Sequence, residues 1–599
     1  MQEQLIKFLK ELTNLDQINL SKPPKAEMWD FAFGVFPLAK TYKKNPNQIA
    51  EELLEKITKN KPNFIEKVEQ AWPYLNFFLS KNAYSELFKN ILNEKIENPE
   101  NKKRTIFIDY IWANVGKPLH IGHMCTPNLW QAIINVYRKL WYNVISDSHI
   151  GDWGIIFWKL IVAYQNWWDE KALKENAVEH LFQLYVKATS EEEKDPTWKD
   201  KFQEAFKKLS EWDKEYIDLW ALFTKESIKS MNKQLAKLNV KPDYNIWESF
   251  YEGLPLPKLE NYPDLIRPMK EIVKELLEKW IATKNEDNSV WVIFPEELNI
   301  PSTILQKKNW THWYLASDLA AVKYRIYRWK PEKIIYFVDV RQSLHFKQVF
   351  AISKLAWWTK WVDKNLEKEV ELIHAPNGFV KLKDGAMSTR KWKIIKLEAL
   401  LDEAVQRAKK IILDKKLQKW EITEEEYKIL SSDNHQDKSS DISLLAEIIW
   451  IGAIKYEYLR KNRELDIVFD WDQFMTFEWN SAPYIMYSYV RWLSILNKAN
   501  FKNYPEKYIF ETEQEQELIK KLSEYKKILE ETAEKYYPHI LANYTYEITK
   551  LFNNFYNNVP VLNEKDEEKK QSRLALIKKT TDTIKDSFDL LGIKLPEKM

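Results

Sequence analysis

Two histidines, His120 and His123, stand three residues apart in ANVGKPLHIGHM (113–124), directly after the apolar run TIFIDYI (105–111). That spacing sets both imidazoles on one face of a first helical turn. The amide N–H groups and positive dipole end of such a turn suit a phosphate. Imidazole N–H groups there can also donate to an α-phosphate whose charge grows during displacement. Gly122, between the two, lets a flat base approach the backbone. Taken alone, the four residues HIGH fit a pair of helix-surface histidines equally well. A second segment weighs against that: GAMSTRKWK (385–393) is a small-residue, basic loop. Its Arg390, Lys391 and Lys393 can reach the β- and γ-phosphates of a nucleotide from the opposite side.

These groups need a sheet to hold them. TIFIDYI leads straight into a loop and a helical segment, which is the strand–loop–helix entry of an α/β domain. KIIYFVDV (333–340) and KEVELIHA (368–375) are further buried-strand candidates. Upstream, AEELLEKITKN (50–60) has helical periodicity and YLNFFLS (74–80) is strand-like. ENPENKKR (97–104) is a polar linker. Between about 170 and 300 charged helices look inserted, and from about 396 onward almost everything has a helical period. The expected architecture is multidomain α/β: an N-terminal α+β domain (1–96), a Rossmann-like domain with a parallel sheet (105–395) and a mainly helical insertion (about 170–300), a helical connector (396–440), and an all-α bundle (441–599). No internal repeat is visible, and the charge run NEKDEEKKQSR (563–573) reads as a solvated loop or helix face.

The chain has 599 residues with 91 Lys plus Arg against 88 Asp plus Glu, a net of +3. Any nucleic-acid surface must therefore be local. One cysteine, Cys125, excludes an internal disulfide and any multi-cysteine metal site. The N-terminus is amphipathic and charged, and no long uncharged apolar run occurs, so a cytoplasmic protein without a membrane span is expected. The anomaly is 10 glycines beside 27 tryptophans. An ordinary chain of this length carries roughly 42 glycines, and the sum of the two counts is close to that.

With these motifs in view, the sequence resembles the class I aminoacyl-tRNA synthetases, and the arginyl-tRNA synthetases in particular. The matching blocks are Asp109, Asn114 and KPLHIGH (117–123), then SHIGDWG (148–154), YLASDLAAVKYR (314–325) and VDVRQSLHFKQ (338–348). IGAIKYEYLRKNRELDIVFDWDQ (451–473) and NSAPYIMYSYVR (480–491) resemble the start of the family's anticodon-binding domain, and LLGIKLPEKM (590–599) its ending. MWDFAFGVFPLAK (28–40) and AWPYLNFFLS (71–80) resemble its N-terminal domain. The resemblance implies that ATP, with Mg2+, and L-arginine form arginyl-adenylate, and that arginine then passes to the 3′ end of tRNA(Arg), on a chain acting as a monomer. It implies His120, His123, Gly122, Met387, Ser388 and Thr389 at ATP, and Lys117, Arg390 and Lys391 at the leaving pyrophosphate. Asp109, Asn114, Tyr314, Asp318 and Gln342 would form the arginine pocket, since carboxylates hold a planar guanidinium through paired hydrogen bonds. Asn76 and Phe78 of the N-terminal domain, and Tyr484, Tyr487, Tyr489 and Met599 of the bundle, would meet tRNA. The signature loop departs from the family at Ala386, where a lysine is usual, and Lys117 is placed to supply the missing charge. Two other readings stand beside this one: a different HIGH-type ligase, disfavoured by the single cysteine, and a tRNA-binding relative without activity, favoured only by Ala386.

The same blocks locate the anomaly. Trp29, Trp72, Trp130, Trp141, Trp158, Trp212, Trp310, Trp392, Trp450 and Trp479 stand where the family motifs carry glycine, whereas Trp153 and Trp471 stand where the family itself has tryptophan. The pattern implies UGA codons that mean glycine in the source and were rendered as tryptophan.

Overall fold

A computed structural model describes residues 1–21, 23, 28–252, 269–308, 314–363, 366–382, 395–432, 441–474 and 479–599. The N-terminal part is a four-stranded antiparallel sheet in the order Leu20–Ser21, Phe31–Gly34, Tyr74–Leu79, Ile65–Ala71, backed by helices Gln2–Thr13 and Pro46–Lys59. Ile49, Leu53 and Ile57 repeat every four residues, so one face of the second helix is apolar and packs on Phe33, Leu75 and Phe77. Its start is set by Asn45, whose side chain accepts from the Asn47 N–H (2.9 Å), and by Pro46 in the first turn.

The centre is a five-stranded parallel sheet made of β1 (Thr105–Tyr110), β2 (Asn143–Ser148), β3 (Tyr244–Asn245), β4 (Lys333–Tyr336) and β5 (Glu371–His374), in the order β5-β4-β1-β2-β3. Residues Ile106 to Tyr110 of β1 are wholly buried, as expected of a strand covered by helices on both faces. Asp109 is among them, paired in register with Asp147 of β2 and Tyr336 of β4 at the carboxyl ends of the strands. Helix α1 (Gly122–Lys139) crosses from β1 to β2 and buries Leu129, Ile133 and Val136.

The insertion does contain helices, at Ala177–Lys194, Trp198–Ser210 and Lys214–Lys237, but it also leads into a three-stranded antiparallel sheet (Ala282–Lys284, Val290–Val292, Thr303–Gln306). These strands have three or four residues, too few for a two-residue period to register. The stretch 368–375 is divided for a similar reason. Leu366–Glu369 pairs with Lys360–Asp363 as a hairpin, and only Glu371–His374 joins the parallel sheet.

Beyond residue 396 the described chain is helical, except for the short strand Ile467–Phe469, which pairs in parallel with Val380–Leu382. Arg573, in the run expected to be solvated, is instead buried and ion-paired to Glu515 at 2.7 Å. Among the described residues no helix is long and apolar enough to cross a membrane.

Candidate active site

His120 and His123 do face one another, with ring centroids 3.9 Å apart at the start of α1. Their role in the turn differs from the expectation of open amides. The Gly122 N–H donates to His120 Nδ1 and the His120 N–H donates to His123 Nδ1, each at 3.1 Å, while the Ile121 N–H donates to the Ile395 carbonyl at 3.0 Å. The imidazoles thus cap the helix. Because each Nδ1 accepts, each Nε2 carries the proton. Burial, helped by the charge of Lys117, lowers the pKa of His120 to about 4. Burial, then His120, holds His123 well below the ordinary range. At neutral pH the pair therefore offers two uncharged N–H donors to a cleft of about 670 Å³ bounded by Leu119, Asp339, Asn377, Gly378 and Phe379.

Behind this cleft lies an acidic floor. Asp109 and Asp147, side by side on β1 and β2, share the wholly buried Arg325 of helix α2 (Tyr314–Trp329): Nη1 lies 2.6 Å from Asp109 Oδ2 and Nη2 lies 2.9 Å from Asp147 Oδ2. Burial pushes the Asp147 carboxyl up to about 8, and Arg325 opposes that rise. Burial works against the charge of Arg325, but Asp109 and its neighbours hold its pKa well above the usual value. Asp109 also accepts from Trp112 Nε1 at 2.8 Å. Its carboxylate is therefore occupied by a guanidinium of the chain itself. Trp112 stacks on His149 (centroids 4.5 Å), and its neighbour Ile111 has φ +70°, a left-handed conformation rare for a β-branched residue.

Asp318, one turn into α2, is the third buried carboxylate. His345 Nε2 lies 2.6 Å from its Oδ2, and His149 Nε2 lies 3.7 Å from its Oδ1. Burial raises its pKa, but His345, His149 and Arg325 outweigh burial and hold it below the ordinary range. Oδ1 accepts no hydrogen bond from the described residues.

Asn114 is exposed and bridges Gly151, and Gln342 is exposed at the end of the turn Val340–Gln342. Lys117 lies over the Tyr185 ring at 4.5 Å. Tyr314 begins α2, and its side chain lies outside the described residues, as do Met387, Ser388, Thr389, Arg390, Lys391, Trp310 and Trp392. Asn76 is only 5% exposed within its strand, and Phe78 is partly covered by Lys67. Tyr484 accepts from Asn553 Nδ2 at 2.9 Å and Tyr489 is buried, whereas Tyr487 and Met599 are exposed. Asp147, His149, Arg325 and His345 were not anticipated. The signal was present: Arg325 follows Asp318 by seven residues, hence on the same helix face, and Asp147 lies in the buried carboxyl end of a strand.

Among the described residues six tryptophans have left-handed backbones: Trp72, Trp141, Trp212, Trp280, Trp357 and Trp420, with φ between 56° and 69°. Trp72 opens a two-residue hairpin loop with Pro73, the glycine place of a type II′ turn. The other five each follow a helix C-cap and form the same hydrogen-bond pair. At Trp141, for example, its N–H donates to Arg138 O and the next N–H to Tyr137 O, both at 3.0 Å. This is the Schellman motif, whose left-handed residue is usually glycine and sometimes asparagine. Elsewhere in the chain the same place is filled by Asn239, Asn500 and Gly592. Inside the core, the Trp130 and Phe337 rings stack with centroids 3.0 Å apart, against about 4.5–7 Å for ordinary ring pairs. The buried indole N–H groups of Trp130, Trp158, Trp247 and Trp492 have no acceptor among the described residues.

Residues 87–471 match the model of the class I (R) tRNA synthetase catalytic domain, residues 485–599 the DALR anticodon binding domain, and residues 1–79 the arginyl tRNA synthetase N terminal domain. The arginine–tRNA ligase of Clostridium perfringens is 37% identical over 99% of this chain and 98% of its own length. That of Fusobacterium nucleatum is 37% identical over 93% and 90%. Among solved structures, arginyl-tRNA synthetases of Plasmodium falciparum (TM-score 0.74, 23% identity) and Thermus thermophilus (0.73, 22%) share the fold over 100% of this chain and 99% of theirs.

Proposed function

The chain belongs to the arginyl-tRNA synthetases of class I, and on that premise we propose how its site joins L-arginine to tRNA(Arg) in an ATP-dependent reaction. The observation that carries the reading is Asp318 Oδ1, a buried carboxylate oxygen that accepts no hydrogen bond among the described residues, beside a floor whose other two carboxyl groups are both engaged by Arg325. An incoming guanidinium meets one committed acceptor there, while Asp109 acts indirectly by holding Arg325. Tyr314, Gln342 and Asn114 complete the pocket, Asn114 on the amino-acid end of the substrate.

The arginine carboxylate attacks the α-phosphorus of ATP, the bond to the β-phosphate oxygen breaks, and pyrophosphate leaves. The neutral Nε2–H groups of His120 and His123 donate to the α-phosphate oxygens as charge builds on them. Met387, Ser388 and Thr389 bear on ATP, and Lys117, Arg390 and Lys391 hold the pyrophosphate. Mg2+ accompanying ATP would supply positive charge to the polyphosphate, beside the charge that Lys117, Arg390 and Lys391 bring. In the second step the terminal ribose hydroxyl of tRNA attacks the adenylate carbonyl and AMP leaves. The bundle, with Tyr487 and Met599 at its surface, receives the anticodon end, and the N-terminal domain, with Phe78, receives the corner of tRNA. We assign the domains as 1–96, 105–395, 396–440 and 441–599, and the active unit as a single chain.

Asp318→Asn tests the pocket. It removes a charge-assisted partner for the guanidinium, so the KM for arginine rises about 100-fold while the KM for ATP stays within about twofold. An unchanged arginine KM contradicts the assignment. For the pyrophosphate site, Lys117→Ala slows pyrophosphate exchange about tenfold or more, and near-parental rates would remove Lys117 from the mechanism.

We assign the reaction to the glycine-bearing form of the chain. The left-handed tryptophans and the crowded Trp130 support the reading that UGA codons for glycine were rendered as tryptophan. Three further positions, Trp280, Trp357 and Trp420, join it on backbone geometry. Trp130 presses on Phe337, which lines the cleft, so a chain made as written is expected to have poor activity; Trp392 lies outside the described residues. UGG codons at Trp392 and Trp479 would end this reading.

A further inference from the structure

We propose that Arg463 and Asp466 are positioning residues that tie the nucleotide cleft to the seating of the C-terminal helical bundle, so that ATP affinity depends on a loop with no residue in the cleft. The inference rests on the proposed function for the identity of the nucleotide.

One wall of the cleft is the segment 376–382, which contributes Asn377, Gly378 and Phe379 and in sequence precedes the basic loop. That wall is held from the 462–469 segment. Gly378 N–H donates to Arg463 O (2.8 Å), Phe379 N–H to Asp466 Oδ1 (2.8 Å), and Ile467 N–H to Phe379 O (2.7 Å). Lys381 is ion-paired to Asp466 at 2.5 Å, and the Arg463 guanidinium donates from Nη1 to Pro376 O. The fit is close: a Cβ on Gly378 would lie 2.4 Å from Leu465 O, so nothing larger than glycine lets the two segments meet.

The same arginine also faces the bundle. Its Nε donates to the carbonyl of Tyr536, which caps helix Tyr525–Lys535, at 2.9 Å. Its guanidinium lies 4.8 Å from the Tyr537 ring centroid, and Tyr537 OH donates to Glu464 at 2.8 Å. A single buried guanidinium thus bonds a carbonyl of the bundle and a carbonyl of the cleft wall. A planar fork with several donors can do this, and a lysine, with one compact ammonium, cannot span both.

The test is ATP binding by isothermal titration calorimetry on the full chain, with L-arginine binding and the unfolding midpoint measured alongside. Arg463→Met and Asp466→Asn weaken ATP binding about tenfold and leave L-arginine binding within about twofold. Arg463→Lys falls between Arg463→Met and the parent. Tyr537→Phe, which removes only the bond to Glu464, weakens ATP about threefold with an unchanged midpoint. The proposal is overturned if both Arg463→Met and Asp466→Asn bind ATP within about twofold of the parent. It is equally overturned if both ligands weaken together with a lowered midpoint, which is general loosening. Because binding is read rather than charging, a parent chain that binds ATP but charges no tRNA contradicts the proposed function and leaves this test standing.

Discussion

Replacing Arg325 with methionine lowers the stability of the central domain by about 3–5 kcal/mol, the usual effect of stripping one partner from a buried ion pair. Asp109 and Asp147 are wholly buried neighbours, and Arg325 is the cation between them. Without it two carboxylates face each other in a medium that cannot solvate them. Adding Asp109→Asn and Asp147→Asn to Arg325→Met therefore restores most of the loss, because an uncharged floor needs no counter-ion. The pH dependence has a definite sign. The folded pKa of Asp147 is raised to about 8, above the value of about 3.9 for an unfolded chain. Between roughly pH 4 and 8 the folded state thus holds more protons than the unfolded one, and this group's contribution falls as pH rises. Removing Arg325 takes away the group that draws this pKa down, so in the variant the decline continues above pH 8, where the parent's levels off. Denaturant unfolding followed from pH 5 to 10 checks both points; a decline that levels off near pH 8 in the variant as in the parent contradicts the account of the floor.

Returning the six left-handed tryptophans to glycine stabilises the protein by about 3–6 kcal/mol in total, at about 0.5–1 kcal/mol per site. Each change relieves a conformation that costs an L-residue roughly 1–2 kcal/mol, offset in part by the greater freedom of glycine in the unfolded chain. Glycine in place of tryptophan would ordinarily be severe, which makes the sign informative. Trp153 and Trp471 supply the contrast. Trp153 packs edge-on against Phe206, while Trp471 packs against Phe469 and lies under Arg407 at 4.5 Å. Trp153→Gly and Trp471→Gly therefore destabilise, by about 3 kcal/mol or more each. Unfolding midpoints of the sixfold variant and of these two singles are the measurement. Loss of stability in the sixfold variant sinks the glycine reading.

Part of the parallel sheet was legible, because β1 and β4 lie within the apolar runs 105–111 and 333–340 and β5 within 368–375, whereas β2 and the two-residue β3 were not read; the helical C-terminal part was legible because its period is sustained. Strands of three or four residues were not, since Val290–Val292 or Ile467–Phe469 is shorter than any pattern that distinguishes a strand from a loop. Within the site, His120 and His123 announced themselves by type and spacing, and Asp318 through the resemblance of its block, YLASDLAAVKYR, to the family. Their electrostatic state did not. Nothing in HIGH says that the two imidazoles cap their own helix and stay neutral, and nothing near Asp109 in sequence says that Arg325, from a distant helix, has taken its carboxylate. Such pairings depend on the register of β1 with β2 and on the rotation of α2, which are properties of the packed sheet. The composition, by contrast, proved informative at residue level: an excess of tryptophan over glycine becomes, in three dimensions, five Schellman turns and one hairpin turn with an indole at the glycine place.

The central claim is met most directly by ATP-dependent attachment of labelled L-arginine to total tRNA, using the glycine-bearing chain, with citrulline as competitor. The account predicts that arginine is attached, and that citrulline, which keeps the shape but lacks the charge that Asp318 meets, neither is attached nor competes. Absence of arginylated tRNA, or competition by citrulline at concentrations comparable to arginine, would contradict it.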